Sequence, residues 1–152
     1  MRADRGEVIL EIPARADYLV VARQVVAAAA SVEPTMRDER IDDLRVAVSE
    51  ATTNAIEAHA DLSSDERIVI RCNLADDRIE VEVIDRGPGF DEAPAAEVPD
   101  PTHPDRLEWE RGLGIPLMRE LADETEIRSG EGGTAVRLTV YAPGGRRGSA
   151  ER

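Results

Sequence analysis

The sequence predicts an α+β chain, in the broad α/β class, with five strands and three helices in one domain. Three observations carry this. Five segments alternate apolar and polar residues with period two, as half-buried strands do. Three others repeat apolar residues every three or four positions, as helices packed on one side do. The 152 residues are enough for one domain with a sizeable core and too few for two.

The elements follow in order. Glu7 to Ile12 alternates, with Val8, Leu10 and Ile12 on one side, until Pro13 ends it. Tyr18, Val21, Val25, Ala28 and Ala29 fall at helical spacing, which predicts a first helix from about Arg15 to Ala30 with Arg23 on its surface. A break at residues 31–35 precedes a long second helix, roughly Met36 to Ala60. Its apolar stripe reads Ile41, Leu44, Val48, Ala51, Ala55 and Ala58. Strands Arg67 to Leu74 and Arg78 to Asp85 pair as a hairpin through Ala75-Asp76-Asp77.

Asp91 to Glu110 shows no period and is punctuated by Pro94, Pro99, Pro101 and Pro104. A run of that kind inside a domain is a lid, a binding loop or disorder. A third helix opens at Arg111-Gly112-Leu113-Gly114-Ile115, with Pro116 tolerated in its first turn and Leu117, Met118 and Leu121 as its buried side. Glu124 to Arg128 and Thr134 to Tyr141 are the last two strands. Residues 1–6 and 142–152 are expected to be disordered flanks of a domain spanning 7–141.

Composition narrows the chemistry. Nineteen basic residues stand against 32 acidic ones, a net charge of −13 that repels phosphate backbones and argues against nucleic acid as a partner. Every cation is arginine. The absence of lysine excludes a Walker-type lysine, the strand lysine of eukaryotic-type protein kinases and Schiff-base chemistry. Cys72 is the lone cysteine, so no intrachain disulfide or cysteine-based zinc cluster forms, and its alternation with Ile68, Ile70 and Leu74 reads as a buried structural thiol. No apolar run approaches membrane-span length and no signal-peptide pattern opens the chain, so the expected address is the cytoplasm, away from membranes.

Four local patterns carry chemistry. Glu50, Asn54 and Glu57 lie along one face of the second helix, at the margin of its apolar stripe, where a carboxylate and an amide suit a metal-phosphate site. Ile79, Val81 and Val83 share a strand face, and the next residue on it is Asp85. Burying that carboxylate costs several kcal/mol unless the protein or a ligand supplies a donor. Gly87 and Gly89 follow it and permit close backbone approach. Gly112 and Gly114 leave free amides at a helix start, and Gly132-Gly133-Thr134 begins the last strand with a polar group matching Asp85.

In this order, the four patterns resemble the N box and glycine boxes of the Bergerat-type ATP-binding fold, the GHKL superfamily of DNA gyrase, histidine kinases and mismatch-repair ATPases. Within it, Glu33-Pro34-Thr35-Met36 followed by Ser49-Glu50-Ala51 and Asn54-Ala55 looks most like the bacterial anti-sigma-factor serine/threonine kinases. The resemblance runs from about Glu7 to Val140. It implies a two-layer sandwich: a mixed, largely antiparallel sheet of about five strands, covered on one face by three helices.

The resemblance also implies roles. Asp85, assisted by Thr134, accepts from the adenine amino group; Asn54 ligates Mg²⁺; Glu50 orients or deprotonates the attacking hydroxyl. Gly87, Gly89, Gly112, Leu113 and Gly114 contact the nucleotide, a lid at about 91–111 closes over it, and Arg111 stabilises charge. Arg23 roughly matches an arginine that touches the sigma factor in relatives. Two departures stand out: His59 falls five residues after Asn54 rather than four, and Glu110 stands near where relatives often carry arginine. The implied function is an ATP- and Mg²⁺-dependent anti-sigma factor and protein serine kinase, a homodimer that binds a sigma factor and phosphorylates an anti-anti-sigma (STAS-type) protein. The alternatives are a nucleotide-binding partner-switch module with little transfer activity and a stand-alone histidine-kinase-like ATPase domain.

Overall fold

Strand β1 (Asp4–Pro13) leads through a 3-10 turn at Ala16–Tyr18 into helix α1 (Leu19–Ala30), and helix α2 (Asp38–Ala58) follows. β2 (Arg67–Ala75) and β3 (Arg78–Asp85) form a hairpin, and helix α3 (Ile115–Leu121) leads into a second one made of β4 (Glu124–Gly130) and β5 (Gly133–Tyr141). The computed structural model describes residues 4–59, 67–85, 114–130 and 133–144. The five strands make one sheet in the order β1-β2-β3-β5-β4, antiparallel at every pairing.

Period two builds the core. Ile68, Ile70, Cys72 and Leu74 of β2, Ile79, Val81 and Val83 of β3, and Val136, Leu138 and Val140 of β5 all lie buried on the helix side. Ala22, Val26, Ala29 and Ala30 of α1, Leu44, Ala47, Val48 and Ala51 of α2, and Ile115 and Met118 of α3 complete it. Alanine at so many contacts lets the helices approach a sheet that has almost no aromatic residues to fill space. Burial raises the Cys72 thiol from 9.0 to about 11, in keeping with a structural role.

The helices differ in phase from the sequence reading. The buried residues of α1 are Ala22, Val26 and Ala29, while Val21 is exposed, so the helix is rotated by one position, about 100°. Its alanine-rich second half gives too little contrast between adjacent faces to fix the phase. In α3, Ile115 and Met118 face inward and Leu117 is exposed. Helix α2 keeps its predicted stripe through Ala55 but then buries His59 and exposes Ala58. The first strand begins at Asp4, three residues earlier than expected, with a register shift between Asp4 and Gly6 that Gly6 accommodates at φ 119°.

Side chains fasten the layers. Between α1 and α2, Glu33 Oε2 accepts from the Thr35 backbone N–H at 3.0 Å and from its hydroxyl. Arg40 of α2 donates to Asp43 (2.7 Å), to the Leu121 carbonyl at the end of α3 (3.1 Å) and to Asp123 (3.1 Å). Asp123 in turn accepts from the Tyr141 backbone N–H at 2.8 Å. On the helix-free face, Arg137 pairs with Glu126 at 2.8 Å and Arg78 with Glu80 at 3.2 Å. Tyr141 donates to Glu124 at 2.7 Å there, and its phenol is raised above 10.0, first by burial and then by that bond.

Candidate functional site

Asp85 ends β3 on the buried side, in the row of Ile79, Val81 and Val83, and the residue is only 4% exposed. Antiparallel register sets Thr134 of β5 directly opposite it. Cross-strand partners share a sheet face, so the carboxylate and the hydroxyl stand side by side at the same end. Thr134 Oγ1 lies 3.3 Å from Ser129 Oγ, and Ser129 is its register partner on β4, so three polar side chains cross the sheet in a row. A cavity of about 310 Å³ opens at this end, bordered by Asp85, Thr134, Ser129 and Arg128. A larger hollow of about 730 Å³ lies among Arg78, Glu80, Glu126 and Arg137, the outward alternates of the same strands, and does not include Asp85.

The donor that the buried carboxylate requires comes first from within the chain. His59 Nε2 lies 2.6 Å from Asp85 Oδ1, and both side chains are almost fully buried. Sequence reasoning noted His59 only as a misplaced histidine. The signal was in the helix period: the stripe Leu44, Val48, Ala51, Ala55 continues equally well to position 58 or 59, and alanine was the more apolar choice.

Glu50 and Asn54 sit one turn apart on α2, half-buried beside Ala51 and Ala55, as the i, i+4 spacing predicts. Glu57 is exposed at the end of the row. Gly114 caps the start of α3 in the left-handed region, φ 72° and ψ 17°, and lies directly against the Glu50 carboxylate. Arg23 Nη1 of α1 donates to Ser49 Oγ at 3.3 Å, so it reaches the residue beside Glu50. Gly87, Gly89, Arg111, Gly112, Leu113, Glu110 and the 91–111 segment lie outside the described residues.

The structure thus joins Asp85 with Thr134 and His59, and Glu50 with Gly114. Among the described residues no group of three or more His, Cys, Asp and Glu side chains is arranged to hold a metal ion. One amide beside a carboxylate suits a Mg²⁺ ion whose remaining ligands are phosphate oxygens and water. A buried acceptor beside a hydroxyl, at the open end of an otherwise apolar face, suits the donor edge of a purine.

Residues 12–140 match the model of the histidine kinase-like ATPase domain. The anti-sigma F factor of Caldanaerobacter subterraneus subsp. tengcongensis is 45% identical over 123 residues, 79% of this chain and 82% of that protein. The serine-protein kinase RsbW of Bacillus subtilis is 34% identical over 150 residues, covering 96% and 92%. Among solved structures, the RsbU and RsbW domains of a Mycobacterium tuberculosis protein superpose with a TM-score of 0.64 at 23% identity, over 90% of this chain and 32% of that one. Fold and matches together define a nucleotide-binding domain of the ATPase class. The chain belongs to the histidine kinase-like ATPase domain family.

Proposed function

We propose that this chain is an ATP-dependent anti-sigma factor and protein serine kinase, which binds a sigma factor and phosphorylates a serine of an anti-anti-sigma antagonist. The observation that supports it most is similarity along nearly the whole domain to relatives named anti-sigma F factor and serine-protein kinase RsbW. The site chemistry agrees. Asp85 accepts from the adenine amino group with Thr134 beside it, and the internal donor is compatible with this. A carboxylate offers about four lone-pair sites, so one imidazole N–H and a purine amino group can be accepted together.

Glu50 accepts the proton of the acceptor serine as its oxygen attacks the γ-phosphorus and the bond to the departing ADP oxygen breaks. Asn54 would hold Mg²⁺, which supplies charge neutralisation on the phosphates when bound. Gly114, with Gly87, Gly89, Gly112 and Leu113, contacts the nucleotide, residues 91–111 serve as its lid, and Arg111 stabilises developing charge. Arg23 contacts the sigma factor, the protein acts as a homodimer, and it works in the cytoplasm. No described helix is long and apolar enough to cross a membrane.

Incubation with ATP labelled on its γ-phosphate and a cognate antagonist tests the proposal. Label on a single antagonist serine is the expected result. Tight nucleotide binding with no label on serine would leave a binding module in place of a kinase.

A further inference from the structure

The His59–Asp85 pair is built in a way that a simple structural peg does not need. His59 caps α2, its backbone N–H donates to the Ile56 carbonyl at 3.0 Å, and the residue is 5% exposed. Nδ1 of the ring is buried and has no hydrogen-bond partner among the described residues. An ionised carboxylate only accepts, so it places the proton of the 2.6 Å contact on Nε2, and among the described residues Asp85 is the group that sets the tautomer. A buried Nδ1 without a partner is a standing cost whether it carries a lone pair or a proton, and an apolar pair of the same shape would avoid it. The gain must lie in the bond to Asp85.

That bond also links two ends of one site. His59 follows Asn54 by five residues, about 7.5 Å along the helix axis. Helix α2 therefore holds Glu50 and Asn54 in its C-terminal half and grips Asp85 with its C-cap residue. We propose that His59 is a positioning residue for adenine recognition: its Nε2–H fixes the plane of the Asp85 carboxylate, so that the amino group of a purine meets an acceptor already oriented and registered to the phosphate end. This rests on the reading of Asp85 as the adenine acceptor.

Two measurements test it. In the intact protein, imidazole ¹⁵N shifts should report His59 as the Nε2–H tautomer, both without nucleotide and with ADP bound; an Nδ1–H tautomer overturns the proposal. Affinities for ADP and for inosine diphosphate, which lacks the amino group, are then compared across variants. His59→Leu should weaken ADP by about tenfold and bring the ADP-over-inosine preference close to one. His59→Gln, which retains an N–H donor, should restore most of that preference, and turnover at saturating ATP should change by less than about threefold in either variant.

A folded His59→Leu protein with the wild-type preference overturns the proposal. If that variant does not fold, the wild-type tautomer and His59→Gln decide. Asp85→Asn separates the two levels. If Asp85→Asn keeps the adenine preference, the reading of Asp85 itself fails. If Asp85→Asn loses it and His59→Leu does not, only the role of His59 fails.

Discussion

Gly114 lies so close to Glu50 that a methyl group in place of its hydrogen would overlap Glu50 Oε1. Its φ of 72° is one that other residues adopt only under strain. The start of α3 and the proposed base on α2 are therefore fitted to each other. Gly114→Ala should cost about 1–3 kcal/mol of stability, read by urea unfolding, and should reduce phosphoryl transfer more than nucleotide affinity. Transfer at the wild-type rate would separate Glu50 from the chemistry.

Asp85 and Glu50 occupy different elements and are given different tasks. Asp85→Asn should abolish the preference for adenine over other bases, whereas Glu50→Ala should leave nucleotide affinity within a few-fold and remove transfer. Calorimetric titration with ADP and a single-turnover labelling assay read the two separately. Equal loss of binding in both variants would contradict the division.

The Cys72 thiol titrates at about 11 in the folded protein, against 9.0 for the ordinary group. Below pH 9 both folded and unfolded chains carry S–H, and the thiol adds nothing to pH dependence. As pH rises from 9 to 11 the unfolded chain ionises first, so stability falls across that window. Cys72→Ala should lower stability at neutral pH through lost packing yet flatten this alkaline decline, measured as unfolding midpoints at pH 8 and pH 10.5.

Arg40 joins the end of α3 to α2 while its pairing with Asp123 stays partly solvated, the side chains being 27% and 40% exposed. The ion pair itself should contribute only about 0.5 kcal/mol, by a double-mutant cycle of Arg40→Ala with Asp123→Ala. The greater effect should be local. Amide exchange in α3 should speed up in Arg40→Ala, because the Leu121 carbonyl loses its donor.

The strands are legible because each sets β-branched or leucine side chains at alternate positions, a pattern a one-residue slip would invert. Position 85 followed from period two, and so did the place of Thr134 at the start of its own strand face, whereas the pairing that sets the two opposite each other is a register between strands that no single strand encodes. Helix phase was less legible. Ala27 to Ala30 look alike from every side, and Leu117 is apolar yet turned outward. His59 went unread because a polar residue is buried only when a partner waits for it, and that partner, Asp85, comes 26 residues later. The stretch from 91 to 111 has no periodicity from which to start.

Strand β1 forms one border of the sheet, ten residues long, with Ile9 55% exposed on it. An extended margin of this kind invites a strand from another molecule. Here Glu7 and Glu11 flank Ile9, and two copies of a chain carrying −13 repel each other as they approach. Intermolecular zippering along this margin should consequently be suppressed in dilute buffer and grow easier as ionic strength rises.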